Sequence, residues 1–184
     1  FKEEFIDDDT IISLIDKYGD ACDDLHTDLH ECLGHGSGKL LDGISPDALK
    51  AYGSTIEEAR ADLFGLYYIA DRKLLKLGLL DDVEAYKASY YSYILNGLMT
   101  QLVRIKPGDK IEEAHMRNRA LIANWCYEKG KENKVIEFFV KDNKTFIRIN
   151  DYVALRKLFA ILLAEIQRIK SEGDYEAAKR IVED

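Results

Sequence analysis

Apolar residues recur at helical spacing along most of this 184-residue chain, and this pattern limits the possible folds more than any other feature. The pattern runs through five stretches, which are residues 10–20, 57–78, 82–105, 111–130 and 151–173. Residues 135–149, "VIEFFVKDNKTFIRI", differ because two β-rich runs flank the turn residues Asp142 and Asn143. The sequence therefore predicts a mainly α, multi-helix fold with one small β-hairpin. We expect residues 1–184 to form a single unit, because no internal domain boundary is evident.

The charge and hydropathy of the chain argue against two classes of partner. A net charge of −8, with a pI near 5.1, lacks the clustered cations of a phosphate-binding surface, so we expect no nucleic acid partner. The longest strongly apolar run, Leu158–Ala164, is much shorter than the roughly 20 residues that cross a bilayer. We therefore expect no membrane association.

The cysteines and the first residue of the chain bear on its compartment and its extent. Three cysteines without CxxC spacing do not suggest a disulfide framework and favour a reducing compartment. The chain starts at Phe1 in an acidic stretch without a leader pattern. We expect a cytoplasmic piece of a longer protein, although such a piece could also have lost a leader.

The stretch "LHECLGHGSGKL", residues 29–40, contains two histidines at an unusual spacing. Catalytic zinc needs two imidazoles on one face, and histidines four residues apart lie about 40° apart around a helix. His30 and His35 are five residues apart, which gives about 140° on a regular helix. Gly34 tolerates unusual backbone geometry, and one inserted residue is typical of a π-bulge. We predict a distorted helix at residues 32–35 with both imidazoles facing one metal.

A third ligand is expected from the segment "STIEEARADLFGLYY". Glu58 can bind the metal, while Asp62, one turn further on, can orient a histidine through its second nitrogen. The simpler alternative is that Ser54 or Thr55 caps this helix and that a glutamate completes a capping box. That alternative does not explain Asp62.

Other side chains near the motif are less convincing ligands. His26 and His30 have the four-residue spacing, but Glu31 would then follow the second histidine, where it cannot act as the base. We expect His26 to lie at the surface or behind the ligands. Cys32 is two residues from His30, about 200° around a helix, so burial in the core is expected. We expect Cys22 and Cys126 in the core as well.

The two segments together resemble a known enzyme family. "HECLGHGSGKL" followed by "EEARAD" is similar to the paired signatures HExxGH and EExR(A/C)(D/E) of the dipeptidyl peptidase III family, and "EEAHMRNRALIANW" also resembles that family. These enzymes are zinc exopeptidases that release dipeptides from peptide N-termini. They fold as two lobes around a cleft, and this chain resembles only the helical, zinc-carrying lobe. The segment between the first two motifs is short compared with many relatives.

The resemblance implies a metal site and a catalytic base. It places the ligands of one Zn²⁺ per chain on His30, His35 and Glu58. The family's water-activating glutamate falls on Glu31, and its transition-state histidine on His115. The implied reaction is hydrolysis of a peptide bond by metal-activated water.

Further roles follow from the same resemblance. Glu57 is expected to lie in the substrate cleft and Arg119 to line it, while Asp62 supports a ligand histidine. The implied partners are an oligopeptide substrate and the second lobe of the same polypeptide, whose absence predicts weak activity for the isolated chain. The alternative is a non-catalytic helical module with a structural zinc or none, which would be insensitive to replacement of Glu31.

Overall fold

A computed structural model of the protein describes residues 4–99 and 110–183, and it describes side chains in residues 4–98 and 116–183. The α-helices are α1 (Asp9–Leu29), α2 (Gly53–Ile69), α3 (Lys73–Lys76), α4 (Tyr86–Met99), α5 (Lys110–Lys129), α6 (Tyr152–Glu172) and α7 (Tyr175–Glu183). A π-helix spans His30–His35, and a 3₁₀ helix spans Lys50–Tyr52. The predicted mainly α fold is confirmed.

The predicted hairpin is also confirmed. Strands β1 (Ile136–Lys141) and β2 (Lys144–Ile149) pair antiparallel, with Ile136 opposite Ile149. The two turn residues have positive φ angles, 51° at Asp142 and 60° at Asn143. Asp and Asn tolerate this left-handed conformation better than most residues, so the sequence suits a two-residue turn.

Helix α2 occupies the centre of the helical assembly. It packs against α1, the π-helix, α5 and α6, and its side chains are buried on most of its circumference. Ile56, Leu63 and Leu66 are fully buried and join Ile94 of α4 and Phe159 of α6 in the apolar core. Two charged residues of α2, Arg60 and Asp62, are buried within the same assembly. Burial of charge at this position requires partners, which the site below supplies.

The helix boundaries differ from the predicted ones in several places. Helix α1 continues to Leu29, residues 57–78 form two helices separated by a break at residues 70–72, and α7 was not predicted. Ser54 and Thr55 do not cap α2, because the 3₁₀ helix runs directly into it and the helix begins at Gly53. The predicted stop at residues 107–108 and the end of the 82–105 stretch lie outside the described residues.

The cysteines follow the predictions in two cases out of three. Cys22 and Cys126 are buried, as expected, whereas Cys32 is exposed and the prediction of its burial was wrong. The reason is the π-helix, whose buried residue is Gly34 rather than Cys32.

Among the described residues, no helix combines the length and the apolar character that crossing a membrane requires.

Candidate metal centre

The π-helix solves the spacing problem of the two histidines. It follows α1 without interruption, and the backbone N–H of Gly36 donates to the carbonyl of Glu31 at 3.0 Å, a bond across five residues. The ring centroids of His30 and His35 are 4.6 Å apart. The predicted helix distortion is therefore confirmed, and it spans the whole segment between the two imidazoles.

Gly34 allows the π-helix to approach α2 closely. A Cβ atom at this position would lie 2.6 Å from Cα of Ala61 and 2.7 Å from its Cβ. Real Cβ atoms do not approach backbone this closely, so any larger residue would push the two helices apart. Glycine at this position lets the π-helix pack closely against α2, which brings the two histidines next to Glu58.

Three side chains of these helices form a group that fits a metal ion. The ligand atoms of His30, His35 and Glu58 all lie within 4.8 Å of one another. The two carboxylate oxygens of Glu58 are each 3.5 Å from Nε2 of one histidine. Two imidazoles and one carboxylate form a donor set of catalytic zinc sites, in which a fourth position remains open to water. The residues present therefore fit the expected ion.

Asp62 holds the first histidine of this group. Its Oδ1 lies 2.7 Å from Nδ1 of His30 and 3.3 Å from Nε2 of His26, and its Oδ2 accepts from Tyr93 Oη at 2.7 Å and Asn118 Nδ2 at 2.9 Å. A carboxylate only accepts, so Nδ1 of His30 carries the proton and Nε2 keeps its lone pair for a metal.

The protonation of Asp62 and His30 follows from this network. Burial raises the pKa of the Asp62 carboxyl, but the hydrogen bonds from His26 and His30 outweigh burial and lower it overall. The hydrogen bond to Asp62 raises the pKa of His30, against the opposing effect of burial. Asp62 is therefore a carboxylate at neutral pH.

Glu57 holds the second histidine in the same way. Its Oε1 lies 3.1 Å from Nδ1 of His35, which leaves Nε2 of that ring facing Glu58. Burial raises the pKa of Glu57, yet hydrogen bonds from Arg60, Lys170 and His35 lower it to about 2. The structure thus places Glu57 beside His35, with both oxygens engaged by histidine and cations. Its expected role in the substrate cleft stays a prediction.

A second group, made of His26, His30 and Asp62, also has ligand atoms within 4.8 Å. Here the histidine nitrogens already bond to the same carboxylate oxygen of Asp62, so the short distances have an explanation without a metal. His26 lies behind the ligands, one of the two positions expected for it. Its Nδ1 is buried and has no hydrogen-bond partner among the described residues.

A polar cavity of about 450 Å³ opens beside His30 and lies between α1, α4 and α5. Glu31, the expected base, is exposed and lines this cavity, as does Arg119. His115 belongs to α5, but its side chain lies outside the described residues. The cavity brings the expected base and the expected cleft arginine to one space.

Several site residues could not have been identified from short motifs. Tyr93 of α4, Asn118 of α5 and Lys170 of α6 reach the two supporting carboxylates from helices that are distant in sequence. No local pattern marks them. Arg60 lies inside the segment "EEARAD", and its position there is the only signal that was available.

Comparison with known proteins gives three findings. A model of peptidase family M49 matches residues 46–184, which include Glu57, Glu58 and Asp62 but not the two histidines. Nudix hydrolase 3 of Arabidopsis thaliana is 32% identical over 160 residues, 83% of this chain. Dipeptidyl peptidase III structures from Caldithrix abyssi and Corallococcus sp. strain EGB match with TM-scores of 0.62 and 0.61, at 24% and 23% identity.

The two solved structures share the fold with 86% and 87% of this chain. The chain in turn spans 28% of each of them and 18% of the Arabidopsis protein. The similarity therefore concerns one part of considerably longer proteins.

Proposed function

Since the chain belongs to peptidase family M49, we propose that it forms the metal-carrying part of a zinc-dependent metallopeptidase that releases dipeptides from the N-termini of oligopeptides. The observation that carries this proposal is the convergence of His30, His35 and Glu58 from two helices, with Glu31 next to the first ligand. A regular helix would point the two histidines away from each other, whereas the π-helix lets both imidazoles face one metal ion.

The proposed metal is one Zn²⁺ held by Nε2 of His30, Nε2 of His35 and the carboxylate of Glu58. When bound, zinc supplies a Lewis acid that acidifies water and polarises the peptide carbonyl. Asp62 and Glu57 keep the two imidazoles in the tautomer that leaves Nε2 unprotonated. These carboxylates are themselves held by hydrogen bonds, so the ligands are preorganised before any ion arrives.

Glu31 is the proposed general base. It borders the cavity beside His30 and accepts a proton from the attacking water, then passes that proton to the leaving amine. His115 donates to the carbonyl oxygen as negative charge develops on it, and the loss of one such donor typically slows a reaction by about 10²- to 10³-fold. Arg119 lines the same cavity and binds the peptide.

We further propose that residues 1–184 form one lobe and that a second lobe of the same polypeptide completes the cleft. The 28% coverage of the solved structures supports this proposal. The isolated lobe then hydrolyses peptides poorly, because positioning of the substrate supplies about 7 to 11 kcal/mol of barrier lowering in enzymes. The free thiols of Cys22, Cys32 and Cys126 support a reducing compartment such as the cytoplasm.

A dipeptidyl chromogenic amide, assayed with the 184-residue chain and with a longer polypeptide that contains it, tests this function. We expect zinc-dependent release of the chromophore by the longer polypeptide and much slower release by the chain alone. Removal of zinc with a chelator should abolish the activity, and added Zn²⁺ should restore it. Turnover that persists without metal would contradict the proposal.

A further inference from the structure

Arg60 is a fully buried arginine on α2, one turn after Glu57. A buried guanidinium is unfavourable unless its charge is paired and its five N–H groups have acceptors. The groups that accept hydrogen bonds from Arg60 therefore indicate what this buried charge does.

One side of the guanidinium binds Glu57 with two hydrogen bonds. Nε donates to Oε2 at 3.1 Å, and Nη2 donates to Oε1 at 2.8 Å. Oε1 is also the oxygen that faces Nδ1 of His35 at 3.1 Å. Arg60 thus fixes the plane of the carboxylate that orients the second histidine.

The other side of the guanidinium binds the end of the π-helix. Nη2 donates to the carbonyl of Gly34 at 2.7 Å and to that of Ser37 at 2.9 Å. Nη1 donates to Oγ of Ser37 at 3.3 Å and to Gln167 of α6 at 3.2 Å. Carbonyls at the C-terminal end of a helix lack intrahelical partners, and a cation there is favourable.

Gly38 lies directly against the guanidinium of Arg60. It has a φ angle of +95°, and a Cβ atom on it would lie 2.9 Å from Nη1 of Arg60. Residues 34–38 therefore wrap around the guanidinium, with two carbonyls, one hydroxyl and a bare glycine against it. The segment "GHGSG", residues 34–38, thus carries His35 and also surrounds the Arg60 guanidinium.

We propose that Arg60 is the positioning residue of the second histidine ligand, because it joins the end of the π-helix and the Glu57 carboxylate into one unit. This inference rests on the proposed zinc site. Arg60 does not touch the ligand nitrogens, so its effect on the metal passes through Glu57 and through the backbone on either side of His35. Lysine cannot replace it, since a single ammonium cannot bind a carboxylate in two places and reach both carbonyls.

The test is the Zn²⁺ affinity of Arg60→Lys in the 184-residue chain, measured by competition with a chelator of known affinity. Loss of a residue that supports a ligand typically weakens metal binding by about 10- to 100-fold, and we expect a loss in that range. The matched control is Arg156→Lys. Arg156 donates to the carbonyl of Tyr67 at 3.0 Å and stacks on its ring, and it takes no part in the hydrogen bonds of the metal site within the described residues. The control should bind zinc as tightly as the parent chain.

Thermal unfolding of the metal-free variants separates positioning from general stability. A purely structural role predicts a lower melting temperature of Arg60→Lys with unchanged zinc affinity, and this result would overturn the proposal. The visible spectrum of bound Co²⁺ gives a second readout, which should change in Arg60→Lys and stay unchanged in Arg156→Lys.

A further variant covers the case in which Arg60→Lys does not fold. Gln167→Met, on the half-buried face of α6, removes an acceptor of Nη1 and leaves the buried charge in place. We expect a smaller but measurable loss of zinc affinity, and no change there would equally refute the role of Arg60. Failure of the parent chain itself to bind zinc would instead refute the proposed function.

Discussion

Nδ1 of His30 lies 2.7 Å from the carboxylate of Asp62 on α2. Glu57, five residues earlier on α2, is placed in the same way against the second histidine, with its carboxylate 3.1 Å from Nδ1 of His35. Glu58 lies between them and faces the Nε2 atoms of both rings. Helix α2 therefore supplies one candidate ligand and two carboxylates that orient the others. The π-helix and α2 together bring the two histidines and the three acids into one group.

Replacement of Glu31 tests the assigned base. Glu31→Gln in the polypeptide that contains both lobes should keep its zinc and lose nearly all turnover, because the side chain acts on water and is not a ligand. Zinc content and kcat for a dipeptidyl chromogenic amide are the two measurements. Turnover equal to that of the parent protein would remove Glu31 from the mechanism. The alternative, a purely structural zinc site, likewise predicts that replacing Glu31 has no effect.

Gly34 tests the packing that brings the two motifs together. Gly34→Ala places a Cβ atom 2.6 Å from the α2 backbone, so we expect destabilisation of about 1–3 kcal/mol, as for other overpacked positions. Chemical denaturation of the metal-free chain measures this change.

Gly19→Ala is the control for that experiment. Gly19 lies in the middle of α1, and a Cβ atom on it would have Ile15 as its one side-chain neighbour within 4 Å among the described residues, at an ordinary 3.7 Å. Alanine is a better helix former than glycine, so stability should stay equal or rise by up to about 1 kcal/mol. Equal effects of the two substitutions would contradict the packing argument.

Asp174 gives a pH-dependent test of the last helix. Its Oδ1 accepts from the N–H of Ala177 at 3.0 Å, and Arg168 donates to its Oδ2. The bond from Ala177 and the contact with Arg168 lower the pKa of Asp174 below its ordinary 3.8. A lowered pKa in the folded state stabilises the protein above the unfolded value, and this contribution is lost as the pH falls through the folded value.

Asp174→Ala should therefore lower the free energy of unfolding by about 0.5–2 kcal/mol at pH 7, the usual effect of losing an N-terminal cap. The difference between parent and variant should narrow as the pH falls below 3.8. Denaturation curves at several pH values measure it. A difference that stays constant down to pH 2 would contradict the assigned role of the carboxylate.

The sequence predicted the parts of this structure that depend on local patterns. Helical periodicity identified most of the long helices, and the β-rich runs around Asp142 and Asn143 identified the hairpin. The five-residue spacing of His30 and His35, with Gly34 between them, was sufficient to predict a distorted helix. The spacing of Glu58 and Asp62 on one helix face predicted that both would reach the histidines.

The remaining features depend on tertiary packing. Tyr93, Asn118 and Lys170 meet the supporting carboxylates only because α4, α5 and α6 pack around α2. Local propensity could not reveal the 3₁₀ helix that stands where Ser54 or Thr55 could have capped α2. The exposure of Cys32 follows from the π-helix, whose rotation no regular helical wheel describes.

We propose that His30, His35 and Glu58, and not the group around His26, hold one zinc ion. The most direct test is elemental analysis of the untagged chain, purified without chelators and compared with His35→Gln and His26→Gln. We expect one zinc per chain in the parent and in His26→Gln, and none in His35→Gln. No zinc in the parent after addition of excess Zn²⁺, or loss of zinc in His26→Gln with retention in His35→Gln, would contradict it.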